Sequence, residues 1–71
     1  MAKWIVWASN GGPRKFDDER RGAIFYVEAE TRADASVLVE GMDLTEDLKP
    51  GQRARVSNQP TEDTRALERR Q

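Results

Sequence analysis

The residue types that most often carry catalysis are scarce in this chain. It has no histidine and no cysteine, so imidazole proton shuttles, thiolate nucleophiles, disulfides and cysteine-ligated zinc sites cannot be built. Ser9, Ser36 and Ser57 have no imidazole to activate them, and the lysines lie in charged or turn-forming surroundings. We therefore expect no enzymatic activity, no cofactor and no small-molecule substrate.

An acidic cluster, Asp17-Asp18-Glu19, lies in the predicted loop over residues 9–22. Carboxylates suit calcium or magnesium, but no EF-hand spacing surrounds these three. The glycines of residues 10–13 also lack the spacing and the lysine of a phosphate-binding loop. The simplest interpretation is a solvated loop in which Arg20 and Arg21 lie beside the carboxylates, and we expect no bound metal.

The remaining functional side chains are aromatic and cationic, which favours binding over catalysis. Trp4 and Trp7 are three residues apart, so in a strand their side chains point to opposite faces. If Trp4 and Val6 face the core, the outer face displays tryptophan, tyrosine and arginine, the side chains enriched at interface hot spots. The predicted contact residues on this outer face are Ile5, Trp7, Ile24, Tyr26, Arg53 and Arg55.

Two alternatives leave the outer face without a binding role. The loop that contains Phe16 folds back and covers it, or Arg53 and Arg55 pair across strands with Glu28 and Glu30. The C-terminal segment is a second candidate surface, because a helix-prone basic tail can fold on a partner. Its predicted contact residues are Arg65, Leu67, Arg69 and Arg70. The alternative there is a solvated tail without a function.

Hydrophobic patterning indicates which elements position these residues. Residues 3–8 and 23–30 are rich in β-branched and aromatic side chains and predict two strands. Thr31 has the position of a helix N-cap with Asp34 three residues later, which predicts a helix over 32–40. Gly41 is expected to close that helix in a Schellman turn. Residues 52–57 predict a third strand, with Ala54 and Val56 facing inward.

The predicted fold class is α+β. Residues 1–58 should form a single β-β-α-β domain, with a three-stranded, mainly antiparallel sheet and one helix packed on one face. Residues 59–71 have few apolar side chains, so we expect a frayed helical tail or one that a partner orders. A chain of 71 residues buries only roughly 60% of its unfolded surface, so it depends on a well-packed core, on oligomerisation or on a larger assembly for stability.

Charge is balanced over the whole chain but unevenly distributed. Twelve basic and 13 acidic residues give a net charge of -1, which argues against binding nucleic acid or membranes by bulk charge. Residues 28–50 carry seven acidic and two basic residues, whereas the segments on either side are basic. The first apolar run, Trp4 to Ala8, is too short for a signal peptide or a membrane span, so we expect a cytoplasmic protein.

The sequence is compatible with two functions. The first is a non-catalytic protein-binding or assembly module that docks a protein partner, or its own copies, through the outer face and the tail. Residues 23–40, with the run EAETRADA, resemble small accessory proteins of bacteriophages in style. This resemblance names no family, but it implies a virion-associated or host-modulating role. The alternative is a nucleic-acid-binding module whose aromatic and arginine sheet face, with Trp7, Tyr26, Arg53 and Arg55, stacks bases with help from Arg14 and Lys15.

Overall fold

The computed structural model describes residues 1–10 and 19–70, except for the side chains of Glu19 and Arg20. Its elements are β1 (Ala2–Ser9), α1 (Glu19–Gly22), β2 (Ala23–Ala29), α2 (Arg32–Glu40), β3 (Arg53–Val56) and β4 (Glu68–Arg69). The expectations about Arg14, Lys15 and Phe16, about the Asp17-Asp18-Glu19 side chains and about the glycines of residues 11 and 12 lie outside the described residues. No helix of the described residues is long and apolar enough to cross a membrane.

The four strands form one mixed sheet in the order β3-β1-β2-β4. β1 is antiparallel to β2 and to β3, whereas β4 runs parallel to β2. The α+β class and the helix packed on the sheet are therefore confirmed. The predicted number of three strands is wrong, because the C-terminal segment adds a short parallel strand at the edge of β2, while β3, β1 and β2 pair antiparallel as predicted.

Trp4 is the core tryptophan. Trp4 and Val6 are buried on β1, while their neighbours Ile5 and Trp7 are half-buried on the other side. The Trp4 indole Nε1 donates a hydrogen bond of 3.0 Å to the carbonyl oxygen of Ala29, so its polar atom is satisfied inside the core. The buried apolar residues are Trp4, Val6, Phe25, Val27, Ala29, Ala35, Val39, Leu44 and Val56.

The start of β2 departs from regular pairing. Val6 lies opposite Phe25 but Trp7 lies opposite Ala23, so Ile24 is an extra residue that forms a β-bulge. Ile24 is half-buried and packs against the core, which corrects its predicted place on the outer face. Gly22 precedes the bulge at a close backbone approach, since a Cβ atom there would lie 2.6 Å from the carbonyl oxygen of Ala8.

The predicted bounds of α2 are confirmed, but its predicted ending is wrong. The Thr31 hydroxyl accepts a hydrogen bond of 3.2 Å from the amide of Asp34, as an N-cap should. Gly41 has a φ of -82°, which is right-handed, and the amide of Met42 donates to Val39 O at 3.1 Å. The last turn therefore tightens without the left-handed residue that a Schellman turn requires.

Two short turns connect α2 to β3. Leu44 is buried, and the amide of Leu48 donates to Leu44 O at 3.1 Å, so residues 44–48 form a single turn. At its start, the side-chain and backbone hydrogen bonds from Thr45 lower the pKa of the Asp43 carboxyl. Gly51 has a φ of +86° and Gln52 N bonds to Lys49 O, so residues 49–52 form a type II turn.

The predicted helical tail is wrong. The amide of Thr61 donates to Lys3 O, and the amide of Arg70 donates to Tyr26 O, each at 2.9 Å. Between these points Thr64 is buried, and β4 pairs with β2 with Glu68 opposite Phe25. The segment thus runs from the side of β1 to the far edge of β2. It is part of the fold although it contains few apolar residues, because backbone pairing and ion pairs hold it.

Candidate functional site

The predicted outer face is assembled, but it is less open than expected. Ile5 and Tyr26 are cross-strand neighbours on β1 and β2, and both are half-buried. The Lys3 ammonium lies 5.8 Å from the centroid of the Tyr26 ring. A cation at that distance occupies the ring face that a base or a partner side chain would otherwise use.

Trp7 and Arg55 lie opposite each other on β1 and β3. The Trp7 Nε1 and the Arg55 Nε are both buried and have no hydrogen-bond partner among the described residues. Proteins rarely leave buried donors unsatisfied. This pair confirms that the fold brings the two predicted residues together, and it shows that the Arg55 stem is held against the sheet rather than spread into solvent.

Arg53 and Arg55 do not form ion pairs with Glu28 or Glu30. The strand order places β1 between β3 and β2, so that alternative is wrong. Glu28 forms instead an ion pair of 3.2 Å with Arg69. Arg53 is exposed, and neither Arg53 nor Arg55 forms an ion pair with a described residue.

The arginines of the C-terminal segment mostly serve the fold. Arg70 makes a bidentate contact with Asp47, with Nη1 and Nη2 at 2.9 and 3.2 Å from the carboxylate oxygens, and this hydrogen bonding raises the pKa of Arg70. Its guanidinium also lies 4.8 Å from the Phe25 ring centroid. Arg65 is exposed and contacts the nearby Asp63 at 3.4 Å, while Leu67 is half-buried. Arg69 and Arg70 are thus engaged within the chain.

The outer edge of β3 carries backbone groups that face no other strand of the described residues. Ser57 N donates to Ile5 O at 2.9 Å in the same register that pairs Val56 with Val6. Hydrogen-bonded pairs alternate in an antiparallel ladder, so residues 55 and 53 also bond to β1, whereas the amides and carbonyls of Ala54 and Val56 point away from it. No strand of the described residues pairs with this edge.

Arg32 confirms that geometry and was missed by the sequence reasoning. Its Nη2 donates to Val56 O at 3.1 Å and its Nε to Ser57 O at 3.2 Å, which requires the Val56 carbonyl to point outward. The sequence feature that could have identified Arg32 is its position in the first turn of α2. A cation in the first turn of a helix opposes the helix dipole, so an arginine there needs another partner. With Val56 O occupied, the open groups are Ala54 N, Ala54 O and Val56 N.

A cleft of about 190 Å³ lies between this edge and α2. Its lining residues are Arg32, Ser36, Val39, Glu40, Ala54, Arg55 and Val56. The volume is below the roughly 300–1,000 Å³ typical of small-molecule sites, but it suits a single side chain. We call the open groups of β3, this cleft and the side chains of Arg53 and Arg55 the β3 edge site.

Other parts of the described surface offer less. A depression of about 430 Å³ is lined by Met42, Asp43, Arg69 and Arg70, but both arginines are already engaged with carboxylates of the chain. Among residues 1–10 and 19–70, no three acidic side chains lie close enough to hold a metal ion. Comparison of the chain with protein-family models, curated proteins and solved structures gave no match.

Proposed function

We propose that this chain is a non-catalytic protein-binding module that takes an extended segment of a partner protein as an additional strand along β3. The observation that carries the proposal is the outward direction of Ala54 N, Ala54 O and Val56 N on an edge strand without a described neighbour. Such an edge is a template for strand addition, in which main-chain hydrogen bonds give affinity and adjacent side-chain sites give specificity.

The expected complex is weak. Three backbone hydrogen bonds contribute about 0.5–1.5 kcal/mol each, and one side chain in the cleft adds apolar burial. Association and ordering of the segment offset much of this gain. A dissociation constant of roughly 10 µM to 1 mM is therefore expected, which suits a transient contact or one strand in a larger assembly.

Nucleic-acid binding receives less support from the same residues. Base stacking needs an open aromatic ring. Tyr26 lies under the Lys3 ammonium and Trp7 is half-buried, so neither ring is freely presented. The β3 edge site instead offers directional backbone donors and an acceptor, which recognise another peptide chain.

The proposal is tested by selecting random 12-residue peptides on the folded, chemically synthesised chain. A parallel selection uses a chain that is N-methylated at Ala54, which places a methyl group where the partner's carbonyl must lie. The fold keeps its ladder, because this amide points away from β1. The matched control is N-methylation at Glu62, an exposed position whose amide makes no hydrogen bond with a described residue.

Enriched peptides should bind the unmodified and Glu62-methylated chains alike, and at least about tenfold more weakly after methylation at Ala54, since several backbone contacts are lost together. Their amide NMR shift changes should centre on residues 53–57. Peptides whose affinity is unchanged by N-methylation at Ala54, or whose amide chemical-shift changes lie elsewhere on the chain, would refute the β3 edge as the docking site.

A further inference from the structure

We infer that the segment bound at β3 is acidic at alternate positions, with two carboxylates spaced i and i+2 facing Arg53 and Arg55. This inference rests on the proposed function and specifies its partner. Arg53 and Arg55 are two residues apart on one strand, so their side chains leave the same face at about 7 Å spacing. A strand added alongside repeats that spacing in its own side chains.

The charges around the β3 edge site are unbalanced. Arg53 and Arg55 lack ion-pair partners among the described residues, and Arg32 adds a third cation beside the open edge. Glu40 is the one carboxylate that lines the cleft. An incoming segment with two carboxylates neutralises the face that carries Arg53 and Arg55, and charge pairs of this kind also accelerate association.

The residue between the two carboxylates points to the opposite face of the added strand. That face borders the cleft, where Val39 and Ala54 provide apolar surface and Ser36 a small polar group. The cleft volume of about 190 Å³ accepts a small apolar side chain. The recognised pattern is therefore acidic, small apolar, acidic.

A second copy of this chain is a poor occupant of the same edge. Antiparallel pairing of β3 with its own copy would place Arg53 and Arg55 of both chains on one face, and residues directly opposite lie about 4.5–5.5 Å apart. Like charges at that separation destabilise a ladder. The positive charge of the two arginines, which attracts an acidic segment, thus also disfavours pairing of β3 with its own copy.

Fluorescence anisotropy with three labelled peptides tests the inference. The first alternates glutamate with valine, the second replaces each glutamate with glutamine, and the third has the composition of the first with its glutamates adjacent. At low ionic strength the first peptide should bind about tenfold more tightly than the second, as two partly exposed charge pairs allow. The third should lose most of that advantage.

The double variant Arg53→Gln, Arg55→Gln should bind the glutamate and glutamine peptides equally. Arg53→Gln alone should reduce the tenfold difference to about threefold. The single variant is included because Arg55 is half-buried and its replacement could disturb the fold. Arg65→Gln is the matched control, since Arg65 is exposed, contacts Asp63 and does not line the cleft, and it should not change the preference. Added salt should narrow the difference between the first two peptides.

The outcomes separate the two proposals. Equal binding of all three peptides, abolished by N-methylation at Ala54, refutes the acidic preference and leaves strand addition standing. Absence of binding by every peptide overturns both proposals and leaves Arg53 and Arg55 as charges that protect an edge from aggregation. Tighter binding of a single-stranded oligonucleotide, with a steep salt dependence, overturns both in favour of nucleic acid.

Discussion

The same substitution at the two tryptophans should have very different effects on stability. Trp4→Phe removes the indole that donates to Ala29 O and replaces a buried core side chain by a smaller ring. Trp7→Phe removes a buried donor that has no acceptor among the described residues. The two variants differ in position but not in chemistry, so each controls for the other.

The magnitudes follow from burial and hydrogen bonding. Loss of one buried hydrogen bond costs about 0.5–1.5 kcal/mol net, and the smaller ring adds roughly 1 kcal/mol of lost packing, so Trp4→Phe should cost about 1.5–2.5 kcal/mol. At Trp7 the lost packing is offset by removal of the unsatisfied donor, and a change within about 1 kcal/mol of zero is expected. A 71-residue domain has roughly 4–10 kcal/mol in total.

Urea unfolding followed by far-ultraviolet circular dichroism measures both variants without relying on tryptophan emission. Trp4→Phe should lower the midpoint strongly at an unchanged m-value, whereas Trp7→Phe should leave it close to that of the parent chain. Equal losses in the two variants, or a larger loss at Trp7, would show that the indole of Trp4 does not hold the core as described.

Three further measurements address other parts of the fold. Ending the chain after Pro60 should lower the Tm by more than about 5 °C because β4 and its ion pairs are lost. An unchanged Tm would instead support the alternative that residues 61–71 are a solvated tail. Gly22→Ala should cost about 1–3 kcal/mol in urea unfolding because of the contact with Ala8, whereas Gly41→Ala, at right-handed φ, should be neutral or stabilising. The pKa of Asp43 is lowered on folding, so its carboxylate stabilises the fold above about pH 4, and this contribution is lost as the pH falls through the folded pKa. In Asp43→Asn the free energy of unfolding should therefore fall less steeply with pH below about pH 4 than in the parent chain. Parallel curves for the two chains would contradict this.

The elements that local sequence signals specify were predicted well. The N-cap Thr31 and the following Gly41 gave the bounds of α2, because caps act within a few residues of the helix end. Alternating apolar residues located β1 to β3 and the inward faces of Ala54 and Val56. In the site, the sheet register places Arg55 opposite Trp7, on the face that the alternation predicts for both residues.

The missed features depend on contacts between distant residues. β4 is held by pairing with β2 and by Arg70 with Asp47, 23 positions earlier, and hydrophobic periodicity carries no information about either. The bulge at Ile24 changes which face that residue meets, but alternation continues unbroken in the sequence. The open groups of Ala54 and Val56 follow only from the strand order, which the sequence did not specify.

The path of the C-terminal segment explains why β3, rather than β2, is an edge strand of the sheet. A three-stranded sheet in the order β3-β1-β2 has two open edges, and residues 61–70 leave the side of β1 to place β4 beside β2. That edge is then anchored by Arg69 to Glu28 and by Arg70 to Asp47. The edge of β3 keeps open backbone groups, and two arginines beside it lack described partners. Because an exposed edge invites aggregation, charges that repel its own copy protect this edge, and the proposed acidic strand would complete it by pairing with those same charges.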